Sequence, residues 1–172
     1  ACAEEGWSPF PQGVWSAAVR DTDRAYVDDV LARFASARRE AMRQAALEDE
    51  ARIHPAHERF FDAVLERESA TVEASFLRVR EIRDSVVGKG VGSATNGWAG
   101  AWQYALDVYG AWEQVEMSDG GLLRGYAEGI LGSLPDGAVY FGGTDPGRFA
   151  VTAFDAAAPA NDVVVLTQNA LA

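Results

Sequence analysis

Three observations predict an α+β fold that is mostly helical, with a long antiparallel helical hairpin, further helices and a small C-terminal β-α-β unit with parallel strands. Two long stretches, 22–50 and 55–87, carry apolar residues at the three- and four-residue spacing of a helical face. A third, near 97–117, is apolar almost all round. From residue 138 the period changes to two short continuous apolar runs on either side of a helix-like segment.

With 172 residues, the chain has room for one ordinary domain or two very small ones, and 48% hydrophobic and 24% charged residues make a globular composition. The expected division is an irregular arm over 1–21, the hairpin over 22–87, and over 98–172 further helices followed by the β-α-β unit. The formal net charge of −11 repels phosphate backbones and anionic lipid surfaces, so no nucleic acid is expected as a partner. No apolar run of about 18 residues is present, so no transmembrane helix is expected.

The arm carries Trp7, Phe10 and Trp15 among Pro9, Pro11, Gly6 and Gly13. Its rings have two uses, packing on the chain's own core or holding a partner. Cys2 is the single cysteine, which excludes an intramolecular disulfide and a CxxC metal site. Near the start and followed by a polar stretch, Cys2 has two readings, a lipid-attachment site and an incidental cysteine.

In the first helix Asp21 or Thr22 is a suitable cap, and the stripe runs Val27, Val30, Phe34, Ala37, Ala41 and Ala45. The second opens at Pro55, suited to a first helical position, and runs through Phe61, Val64, Leu65, Val72, Phe76, Val79, Ile82 and Val86 to Gly88. One unbroken helix of that length spans about 50 Å, so the first helix has to cover it. The two should turn near Glu50–His54. Gly88–Gly97 is glycine-rich with Lys89, but it follows a helix and lacks the Gly-Lys-Ser/Thr order of a phosphate loop. A connector is the expectation there.

Between Trp98 and Trp112 the strongly polar residues are Gln103 and Asp107. A helix apolar on every side is buried on most of them. Trp98, Trp102, Tyr109 and Trp112 therefore belong either to the core or to a partner interface. A further helix over 120–133 carries Leu123, Tyr126, Ala127 and Ile130, and Pro135-Asp136-Gly137 turns the chain.

Ala138–Phe141 and Asp162–Thr167 read as strands of a parallel pair, buried on both faces, with a right-handed crossover through a helix capped by Asp145-Pro146. Ligands of such units gather where the first strand meets the helix. Here that place holds Gly142, Gly143, Thr144, Asp145, Gly147 and Arg148. The glycines would let a ligand approach, the helix N-terminus favours an anion, and Arg148 would add a cation. The plainer reading makes Thr144 and Asp145 helix caps, the glycines a tight turn, and Arg148 the partner of a nearby carboxylate.

His54 and His57, with Glu50, Glu58 and Asp62 nearby, suggest a metal site, but Pro55 spoils a shared helical face and no Glu-x-x-His pair exists. There is no G-x-S-x-G elbow. No metal, no cofactor and no catalytic residue is expected.

Tyr140–Phe149 with Leu166–Ala172 resembles a segment of poorly characterised bacterial envelope proteins related to membrane glycosyltransferases that use lipid-linked sugars. The resemblance covers about 138–172 and implies an extracytoplasmic α/β segment. Those proteins have many membrane helices, unlike this chain. Two functions follow as expectations. One is a non-catalytic accessory or scaffold subunit of a membrane-associated envelope assembly, periplasmic or extracytoplasmic, partnered by other protein subunits and anchored by a lipid at Cys2. The alternative is a sugar-phosphate- or nucleotide-binding segment of a glycosyltransferase-like protein.

Overall fold

A computed structural model describes residues 17–87, 100–142, 147–158 and 163–166. Among the described residues five helices precede two short strands and a sixth separates them. They are α1 (Ala17–Glu48), α2 (Pro55–Glu66), α3 (Ser69–Val87), α4 (Ala101–Met117), α5 (Gly120–Ser133), β1 (Val139–Phe141), α6 (Gly147–Ala157) and β2 (Val164–Leu166). The fold is α+β and mostly helical, as expected. No helix among the described residues is long and apolar enough to cross a membrane.

α1 begins at Ala17, so Asp21 and Thr22 lie inside it rather than capping it. Its buried line is Val27, Val30, Leu31, Phe34, Ala35, Met42 and Ala46. Beyond Phe34 this is one residue displaced from the expected Ala37, Ala41 and Ala45. Arg38 falls on the corrected line and is half-buried.

The expected single helix over 55–87 is two. Pro55 does open α2, with His54 as N-cap accepting the Ala56 N–H at Nδ1 (3.1 Å). The break is at Arg67, whose backbone is left-handed (φ 60°). Its N–H donates to Val64 O (3.2 Å) and that of Glu68 to Ala63 O (3.1 Å), the paired bonds of a Schellman stop. The break resolves a packing problem. A straight 33-residue rod leaves the apolar α4 poorly covered. With the chain turned at Arg67, α3 packs on both α2 and α4, while α1 and α6 cover α4 from other sides.

The core centres on Phe34, Phe60 and Phe61, all fully buried. Phe76 of α3 stacks on Tyr109 of α4 (centroids 3.7 Å apart, 3° between planes) and touches Phe60 (5.7 Å). Gly110 permits close approach of α4 to α6, since a Cβ there would overlap the Phe149 ring.

β1 and β2 pair in parallel, with Val139 opposite Val164, Tyr140 opposite Val165 and Phe141 opposite Leu166. The expectation of burial on both faces does not hold. Val139, Phe141 and Val164 are 47%, 66% and 51% exposed. The reason is geometric: α6 packs on β2, and one helix covers one face of a sheet.

Candidate functional site

The loop expected to bind a ligand is built differently from that expectation. Gly143, Thr144 and Asp145 lie outside the described residues. Gly142 is buried, and a Cβ on it would sit 2.7 Å from Arg148 Cβ. A Cβ on Gly147 would sit 2.5 Å from the Tyr126 hydroxyl. The space beside both glycines is thus filled by the chain's own side chains. They serve the docking of α6 against β1 and α5.

Arg148 also turns away from the expected role. It is 9% exposed, with its guanidinium carbon 4.4 Å from the centroid of the Phe149 ring. Its charge bears on Asp107 of α4. Asp107 is itself buried, accepts a hydrogen bond from Gln103 Nε2 (2.9 Å) and pairs with Arg38 Nη2 of α1 (3.4 Å). Burial pushes the Asp107 carboxyl above its ordinary range, against the opposing pull of Arg38, Gln103 and Arg148. The cluster locks α1, α4 and α6 together. Asp107, the one carboxylate between Trp98 and Trp112, was its visible half in the sequence. Arg38 carried no local signal, whereas Arg148 near a carboxylate agrees with the plainer of its two sequence readings.

Of the aromatic residues expected at an interface, Trp112 is buried in the core. Trp102 and Tyr109 are half-buried. Trp102 stacks on Phe76 (5.3 Å) under the Arg83 guanidinium (4.2 Å). Trp98 and Cys2 lie outside the described residues.

The histidines make no metal centre. His57 is buried, with Nδ1 3.3 Å from His54 O, and burial lowers its pKa. The neighbouring Glu58 instead receives Arg39 Nε (2.6 Å) and Arg43 Nη2 (2.7 Å) from α1. Among the described residues no group of three His, Cys, Asp or Glu side chains is placed to hold a metal ion.

Among the described residues, two of the features open to other molecules bear on function. The first is the exposed apolar sheet face of Val139, Phe141 and Val164. The second is a cleft of about 240 Å³ at the α2–α3 corner, where α1, the corner and α4 converge. Arg24 is stitched into it by Asp28 Oδ1 (2.9 Å), Glu116 Oε1 (2.6 Å) and Val115 O (3.1 Å). No family model, curated protein or solved structure matches this chain.

Proposed function

We propose that this chain is a non-catalytic accessory or scaffold subunit of a bacterial envelope assembly, with a partner completing its β sheet. The observation that carries the reading is the apolar face formed by Val139, Phe141 and Val164 on a pair of three-residue strands. A two-stranded sheet is marginal alone and gains stability from added strands or a covering layer. The envelope location and a lipid anchor at Cys2 are part of the same proposal. The location rests on the resemblance of residues 138–172. The sugar-phosphate alternative loses two supports, because Arg148 is buried beside Asp107 and the Gly142 and Gly147 spaces are occupied.

The test is cross-linking of the tagged chain in its own cells, followed by fractionation of the envelope. The wild-type chain is expected in a defined complex, and a Phe141→Asp, Val164→Asp double variant should leave that complex while keeping its melting temperature. A wild-type chain that stays monomeric, or a double variant that assembles equally well, overturns the proposal.

A further inference from the structure

The geometry points to the cleft at the α2–α3 corner as a binding site for a small zwitterion with an apolar side chain, of the free amino acid class. This inference concerns a different face of the molecule from the sheet and does not depend on the scaffold reading.

The first observation is the residue at the corner. Its left-handed position is one that glycine or asparagine usually takes. Here it holds Arg67, at φ 60°. A strained backbone kept under a long charged side chain asks what that side chain does. Arg67 is mostly exposed, and among the described residues its side chain makes one ion pair, Nη1 to Asp28 Oδ2 at 3.3 Å. A guanidinium has five donors, so most of its capacity faces the cleft and solvent.

The second observation is the contrast between the two arginines of the cleft. Arg24 is held by three contacts of 2.6–3.1 Å and acts as a clasp between α1 and α4. Arg67 to Asp28 and Ser69 Oγ to Glu116 Oε2 are both 3.3 Å, the long end of hydrogen bonding. These are the contacts a ligand can exchange at small cost.

The third is charge and shape. Two arginines and two carboxylates make the cleft neutral overall but strongly divided. Arg67, Ser69 Oγ and the positive end of the 19-residue α3 suit a carboxylate. Asp28 and Glu116 keep acceptor lone pairs for an ammonium group. Leu31, Val64 and Trp112 add apolar lining to the cleft. The volume, about 240 Å³, lies below the range of drug-sized sites and suits a single small molecule.

The experiment is an NMR titration of the full chain with L-leucine, and with leucinamide and isovalerate as probes lacking the carboxylate and the amine. Saturable shifts at Arg67, Ser69 and Trp112 are expected with leucine, at least tenfold weaker binding with either analogue. Arg67→Gly relieves the backbone strain, so it should raise the melting temperature while weakening leucine binding at least tenfold. Ser69→Ala, which leaves the corner's backbone bonds in place, should weaken it severalfold. No saturable shift with millimolar leucine overturns the inference, as do equal binding of both analogues or wild-type affinity in both variants.

Discussion

The helical body and the β-α-β unit of this protein bury their apolar residues to very different extents. In the body, the rings of Phe34, Phe60 and Phe61 are fully enclosed, and Phe76, Trp102 and Tyr109 extend the aromatic packing across α3 and α4. In the C-terminal unit the helix and the strands part company. Residues Ala150–Phe154 of α6 are all buried, whereas Val139, Phe141 and Val164 face outward. α6 thus belongs energetically to the body, fastened by Gly110 and by the Asp107 cluster. The strands hang from it, and their residues contribute little to the stability of the chain alone.

The largest effect expected from this difference comes from aromatic truncation. Phe60→Ala empties a fully buried ring site and should cost about 3–5 kcal/mol. That is a large part of the roughly 5–15 kcal/mol that stabilises a domain. Phe141→Ala should stay within about 0.5 kcal/mol in the purified chain. Urea denaturation of the two variants checks both. A Phe141 cost matching that of Phe60 would mean that the sheet is part of the chain's own core, and the comparison would fail.

Much of the body was legible because its signals are local. Pro55 marks the start of α2 in sequence and structure, and the bounds of α5 follow from Asp119 as N-cap and Pro135 beyond its end. The break between α2 and α3 was not legible. Glu66-Arg67-Glu68-Ser69 contains no glycine or proline, and the apolar stripe continues through it in near-perfect phase. What selects the break is tertiary: α4 needs a second wall. The site failed to show for a similar reason. Arg148 reads locally as a cation at a helix N-terminus, and only the docking of α6 on α4 brings it to Asp107. The strands misled in the opposite direction, since a continuous apolar run says nothing about whether this chain supplies the cover.

Glycine substitutions sharpen the contrast between packed and open helix faces. Gly110 lies where α6 presses on α4, and an added methyl group has to displace the Phe149 ring. Gly110→Ala should therefore destabilise by about 1–3 kcal/mol, the usual cost of overpacking. Gly125 and Gly129 on α5 have nothing within 4 Å of a Cβ. Replacing either with alanine should stabilise the isolated chain by up to about 1 kcal/mol, through helix propensity alone. Thermal melts of the three variants read the signs directly, and a loss at Gly125 or Gly129 would show that α5 is packed against something the chain itself provides.

The smallest effect expected is one of slope, and it separates the two kinds of buried or bridged carboxylate. Asp107 has its pKa raised by burial. Its contribution to stability is fully present below its unfolded pKa and is lost as pH rises through the folded value. Glu58 has its pKa lowered, chiefly by the hydrogen bonds from Arg43, with Arg39 adding to it. Its contribution is present above the unfolded pKa and is lost as pH falls through the folded value. In the wild-type chain the two trends partly cancel. Asp107→Asn should therefore gain stability relative to wild type as pH rises, and Glu58→Gln should lose it. Urea midpoints taken between about pH 3 and 7 span the carboxylate range and resolve the two slopes. Slopes of the same sign would mean that Arg38 and Arg148 outweigh the cost of burying Asp107, and that the cluster between α1, α4 and α6 is a net electrostatic gain rather than a lock set by geometry.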